Sequence, residues 1–195
     1  INVSELTIVA WLKSPATRTQ HQPGIVFSRG SSATGIEFKT TTYNLGYHWL
    51  DTGVSMNYAT GPAAEAQQWN MLAVSVKGDA SNFYIGVSDG SIRTGSNNVA
   101  LNPATLNDPF YIGQDIVNGA VRSLTANDGP ASIDEVAIFT RALSAEDIEM
   151  LFSTGRGIPV APTQVSIVPD VEVVYGGGTN TLTVIGNGTA DLIVW

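Results

Sequence analysis

FYIGQD at residues 110–115, SIDEVAIFTRALS at 132–144 and AEDIEMLFSTGRG at 145–157 decide the fold of this chain. The first and second segments are short apolar runs of strand type, separated by a loop rich in Gly, Asn and Asp. The third has helical spacing, with Ile148, Leu151 and Phe152 forming one apolar stripe. Ser144 is a suitable N-cap, Glu146 and Asp147 put negative charge in the first turn, and Gly155 is a plausible stop. One short helix near residues 144–153, laid on the edge of a β-structure, is what this predicts.

Upstream, the dominant period is two. Leu6, Ile8, Ala10 and Leu12 share one face of a strand, and Thr7, Val9, Trp11 and Lys13 share the other. Gly24–Ser28 and Gly35–Lys39 are short strands bounded by glycine. Residues 43–50 and 53–59 read as a hairpin around Asp51-Thr-Gly53, and Trp69–Lys77 as a strongly apolar buried strand. Phe83–Val87 follows a Lys-Gly-Asp-Ala turn, and the polar stretch 93–109 leads on to Phe110. Strands of this length at this spacing, without alternating helices, predict an all-β antiparallel sandwich or barrel.

Composition narrows the partners. The 195 residues carry a net charge of −8 with no cluster of Lys or Arg, which excludes nucleic acid, whose phosphates demand a basic footprint. With no cysteine there is no thiol nucleophile, disulfide framework or thiolate metal site. No run approaches the ~18 apolar residues of a membrane helix, so no membrane insertion is expected. The chain opens at Ile1 without a signal peptide, as a processed or excised piece of a larger secreted or cell-surface protein would.

SELTIVAWLK, QQWNMLAVSV, FYIG and SIDEVAIFTRALSAEDIEML, in that order, resemble the strands of laminin-G-like, concanavalin-A-like sandwich modules, a group that includes the pentraxins. The resemblance runs from Glu5 to Gly155 and implies a jelly-roll of two antiparallel sheets, often with calcium, that binds a ligand rather than catalysing a reaction. It puts a sandwich domain at 1–160. The remaining segment, 161–195, is β-rich, with turns at Gly176–Gly178 and Gly186–Gly188, and resembles the opening of an Ig-like module. These strands begin a second domain, complete the sandwich, or pair with a neighbouring domain or identical subunit by strand addition.

Two sets of residues are candidate sites. Calcium needs six to eight hard oxygens, and Gln114, Asp115, Asn127, Asp128 and Asp134 offer them. Gln114 and Asp115 resemble the pentraxin calcium turn. Strict alternation puts Asp134 on the core face with Val136 and Ile138, where a carboxylate needs a cation, an Arg or several N–H donors. The alternative for Asp134 is backbone hydrogen bonding at a strand start, with the other acids as turn formers. The second set is aromatic: Tyr43, Tyr47, His48, Trp49 and Tyr58 cluster in the hairpin and would offer rings to a sugar's C–H face and polar groups to its hydroxyls. Trp11 and Trp69 read as core.

Catalysis finds little support. Sandwich glycosidases use paired carboxylates in an E-x-D-x-x-E type of array. Ser132 stands two before Asp134, Glu37 and Glu65 are isolated, and neither His21 nor His48 lies in a nucleophile motif. The expectation is therefore a non-catalytic, calcium-supported, extracellular module that binds a polysaccharide or glycan. A structural or adhesion subunit that assembles through its terminal strands is the alternative, and a glycan-active enzyme a second one.

Overall fold

The computed structural model describes residues 2–17, 19, 22–29, 33–39, 42–50, 61–98, 102–106, 108–125, 129–156 and 192–193. Its frame is two antiparallel sheets. The larger has six strands, in the order β14 (Leu192–Ile193), β13 (Ser132–Phe139), β2 (Glu5–Lys13), β6 (Trp69–Lys77), β7 (Ala80–Gly86) and β8 (Ile92–Asn97). The smaller has four, in the order β10 (Phe110–Ile112), β3 (Gly24–Arg29), β4 (Ala33–Phe38) and β5 (Leu45–His48). The short strand β1 (Asn2–Val3) pairs with β9 (Ala104–Thr105), and β11 (Gln114–Val117) with β12 (Ala120–Ser123).

Alternation explains how the sheets face each other. Leu6, Ile8, Ala10 and Leu12 of β2, Leu72, Val74 and Val76 of β6, and Phe83 and Ile85 of β7 meet Val26, Ile36, Phe38, Leu45 and Tyr47 of the smaller sheet in one core. Burying each large side chain contributes roughly 1.5–3 kcal/mol before conformational entropy is counted, so this layer dominates the stability. The opposite residues of the same strands, Val9, Met71, Ala73 and Tyr84, form a second apolar layer with Leu143, Ile148 and Phe152. The six-stranded sheet is thus covered on both faces, by the other sheet and by the helix.

That helix, α1, spans Ala145–Gly155. Ser144 is its N-cap, accepting from the Asp147 N–H at 3.1 Å, while the Ser144 N–H donates to Asp147 Oδ2 at 3.0 Å, a reciprocal capping box. Gly155 is the last helical residue, and the cap falls one later, on Arg156. A glycine lets the helix come close: a Cβ at Gly86 would lie 2.3 Å from the Phe152 ring.

Two elements differ from expectation. The polar stretch 93–109 contains β8 through Asn97 and also β9; β8 lies at the sheet edge, where polar residues are tolerated because one side faces water. The Gly-, Asn- and Asp-rich loop expected between the first and second of the segments that decide the fold begins as a hairpin, in which Asn118 (φ 51°) and Gly119 (φ 79°) turn β11 into β12. The expected hairpin partner at 53–59 lies outside the described residues; β5 pairs with β4. Of the segment 161–195, Leu192 and Ile193 pair with Ile138 and Ala137 at the edge of the six-stranded sheet.

Replacing Gly86 with alanine should cost about 1–3 kcal/mol, because the new Cβ would overlap the buried Phe152 ring and force the helix or the ring to shift. Urea unfolding of Gly86→Ala measures it; an unchanged midpoint would show that the helix is not seated on that backbone.

Candidate functional site

Of the described aromatic residues of the hairpin, Tyr47, His48 and Trp49 are buried and Tyr43 is half-buried, so they are not exposed together as a sugar platform would be. Tyr47 and Trp49 are each only 1% exposed and belong to the core between the sheets. Trp49 Nε1 donates to the Asn102 carbonyl at 2.6 Å, and the Tyr47 hydroxyl is bound by Ser81 and Asn97. Tyr43 packs against Phe38 and donates its hydroxyl to the Pro15 carbonyl at 2.6 Å. Tyr47 shares its parity with Leu45, and in this hairpin that parity faces inward; the ring that would stack on a sugar closes the core instead. Tyr58 lies outside the described residues.

His48 points the other way, onto the outer face of the four-stranded sheet, but it is buried there too. Its Nε2 lies 2.9 Å from Glu37 Oε1, and its ring meets Phe27 edge-on at 5.2 Å. Glu37 is 0% exposed, and its Oε2 has no hydrogen-bond partner among the described residues. Burial pushes the Glu37 carboxyl above the usual carboxylate range, and the hydrogen bond and charge of His48 draw it back only in part. Beside this pair, Arg29 grips Asp115 with two bonds of 2.8 Å, Nε to Oδ1 and a terminal nitrogen to Oδ2. The bidentate pair ties the β11–β12 hairpin to β3. With its carboxylates buried, this cluster holds the β11–β12 hairpin against the outer face of the four-stranded sheet.

The same pair bears on calcium. Both oxygens of the buried Asp115 are taken by Arg29, so the positive charge its burial requires is already supplied. Asp134 is not on the core face. Between Asp134 and Ala137 the β13–β2 register shifts by a bulge, with Glu135 in the left-handed region at φ 48°. The extra residue reverses the parity, so Ile133 and Val136 face the core and Asp134 is exposed opposite Trp11. Its Oδ1 accepts from the Glu135 N–H at 2.9 Å, the backbone bond of the alternative reading. Gln114 sits on β11 beside Asp115, and Asn127 and Asp128 lie outside the described residues. Among the described residues no three His, Asp or Glu are placed to hold a metal, and Asp115 and Asp134 do not fit a shared calcium.

The bulge instead builds a different site. Asp134 and Glu135 line a cleft of about 240 Å³ with Trp11, Trp69, Gly155 and Arg156. Trp69, expected in the core, is 40% exposed. It has the parity of Met71 and Ala73, which α1 covers, but it lies beyond the helix's reach. Trp11, also expected in the core, is half-buried on the same face. It stacks on Phe152 at 5.8 Å between ring centroids, and Gly155 presses on its indole so closely that a Cβ would stand 2.7 Å away. Arg156 lies over the Phe152 ring at 5.3 Å and donates to the Ser88 carbonyl at 3.4 Å. Two indoles on strands, one of them pinned, with two carboxylates and a guanidinium at the rim, can stack on an apolar ring face while binding hydroxyls.

A family profile described as Concanavalin A-like lectin/glucanases superfamily, of laminin-G type, matches residues 1–149. No curated protein sequence matches. Among solved structures, a mutant Trypanosoma rangeli sialidase displaying trans-sialidase activity superposes with a TM-score of 0.54 at 18% identity, over 80% of this chain and 24% of its own. The binding domain of Paraclostridial Mosquitocidal Protein 1 gives 0.51 at 18% identity, over 78% and 37%. The receptor-binding domain of botulinum neurotoxin type G gives 0.51 at 15%, over 78% and 38%. The chain thus spans between a quarter and two fifths of these structures, and the likeness is one of fold.

The Glu37 carboxyl should titrate above about 4.3, the ordinary glutamate value. A raised folded value means that the protonated carboxyl stabilises the fold at low pH and that this contribution fades as pH rises through the folded value. Carbon-13 NMR of the side-chain carboxyl reads the midpoint directly. A midpoint at or below the ordinary value would mean that the His48 bond, not burial, governs Glu37.

Proposed function

This chain belongs to the concanavalin A-like lectin/glucanases superfamily, and from that premise we propose that it is an extracellular, non-catalytic carbohydrate-binding module whose ligand sits in the Trp11–Trp69 cleft. The observation that carries the reading is the exposure of Trp69 on a strand, beside a second indole and two carboxylates. An exposed indole offers an apolar face and a polar N–H suited to an interface, and a ring held by strand backbone loses little entropy when it stacks on a sugar. The left-handed Glu135 adds to this, because bulges of this kind re-aim side chains beside binding sites. The two structural relatives named for binding, a toxin's binding domain and a toxin's receptor-binding domain, make recognition a natural use of this sandwich. The absence of catalysis is part of the proposal and is supported by the enclosure of Glu37 and His48.

Leu192–Ile193 pair with β13 of the same chain, at the edge of the six-stranded sheet; a second reading is that the terminal strands exchange onto that edge of a neighbouring copy and mediate assembly. Chromatography with and without residues 162–195 tests it: a loss of self-association on removal supports assembly, and an unchanged elution behaviour of the trimmed protein relative to its mass opposes it.

For the first reading, a glycan array probed with and without EDTA identifies ligands and their metal dependence. Trp69→Ala should lower affinity at least tenfold, about 1.4 kcal/mol, while the melting temperature holds, since the ring is outside both apolar layers. Retained binding in Trp69→Ala, with binding lost in a variant elsewhere, would move the site away from this cleft.

A further inference from the structure

Three strands carry the Trp cleft onward. Along β2, β6 and β13 the outward-facing positions form successive rows, because residues opposite each other in register share a face. Trp11 lies opposite both Asp134 and Met71; two residues on, Lys13 lies opposite both Ser132 and Trp69. Beyond that row a second cleft, of about 420 Å³, is lined by Lys13, Ser14, Pro15, Gln67, Pro130 and Ser132. Gln67 is fixed in its wall, since its N–H donates to the Ser14 carbonyl at 3.1 Å and its backbone is left-handed at φ 59°. From the Trp11 row to the Pro15 position is four residues, about 13 Å at the rise of a strand, which is longer than one pyranose ring.

We infer that the two clefts are one binding groove running along the strands, and that its ligand is a linear, uncharged oligosaccharide rather than a single terminal sugar. The inference rests on the carbohydrate-binding reading above. Trp69 stands at the junction, on the row between the clefts, where a stacked ring would anchor the middle of a chain. Lys13, Gln67 and Ser132 then supply donors and acceptors to the hydroxyls on one side, and Asp134 and Glu135 acceptors on the other. The uncharged class follows from the charges facing the groove. Among the described lining residues, Asp134 and Glu135 flank the indoles while Arg156 and Lys13 set two cations against them, so the formal charges of the groove cancel. A groove whose formal charges cancel gives a sugar acid no net attraction to set against the cost of desolvating its carboxylate. Arg156 also borders a third cleft, with Tyr84, Thr94 and Glu149, but the last turn of α1 and the Arg156 side chain stand between it and the Trp rings.

Titration calorimetry with ladders of one to six units of gluco-, xylo- and manno-oligosaccharides, and with a sialylated trisaccharide, tests this on the full chain. In the ladder that binds, affinity should rise at least tenfold between two and five units. Gln67→Gly with Ser132→Ala should return the five-unit ligand to two-unit affinity and leave the two-unit ligand unchanged; glycine keeps the left-handed backbone, and circular dichroism checks the fold. Thr94→Ala should change neither. Length-independent binding overturns the groove and leaves the carbohydrate reading standing. A length effect abolished by Thr94→Ala routes the ligand the other way and overturns it too. Preference for the sialylated probe overturns the uncharged class. If no sugar in any ladder binds, and the array is also blank, the carbohydrate reading itself fails and the groove with it.

Discussion

The six-stranded sheet has to be buried on both faces, and the rest of the molecule follows from how that is achieved. One face of β2 and β6 meets the four-stranded sheet, and the other meets α1. A sheet covered on a single face would leave Val9, Met71, Ala73 and Tyr84 in water, a loss of apolar burial that a domain of marginal stability does not tolerate. A helix of eleven residues, about 16 Å long, covers only part of a nine-residue strand's width of neighbours. Where it stops, at Gly155, the outward-facing row goes on. Trp11 is shared between helix and cleft, and Trp69 is left to the surface.

The polar groups divide along the same line. On the far side of the sandwich, polar groups are enclosed and in contact: Arg29 with Asp115, and His48 with Glu37. Enclosed pairs of this sort fix the position of a hairpin but cost desolvation, and they are poor places for exchange with a ligand. Near the end of α1 the charges are open: Asp134 and Glu135 are exposed at a bulge that interrupts the register. The enclosed polar groups and the open cleft thus lie on opposite faces of the sandwich.

Much of the fold was legible because it is periodic. The alternation in residues 6–12, the apolar run at 69–77 and the capped helix after Ser144 all stand where the pattern puts them. Asn118-Gly119 is the usual two-residue hairpin signal inside the Gly-, Asn- and Asp-rich loop, and Gln67-Gln68 before Trp69 are polar. Other features had no local signal. A left-handed glutamate cannot be read from a sequence, and the bulge at Glu135 is what turned Asp134 from the core to the surface. The Glu37–His48 contact joins residues eleven apart across two strands. Whether Tyr47 and Trp49 face inward depends on which face of β5 the other sheet covers, which is a property of the assembled sandwich.

The central claim is that recognition occurs at the indoles left over by the helix and not at those inside the sandwich. Proton–nitrogen NMR of the four Trp side-chain N–H groups during titration with a bound glycan tests it most directly. The account predicts that the Trp69 and Trp11 signals shift in step with saturation while Trp49, bonded to the Asn102 carbonyl, stays in place. Movement of Trp49 with Trp69 and Trp11 unmoved would contradict it.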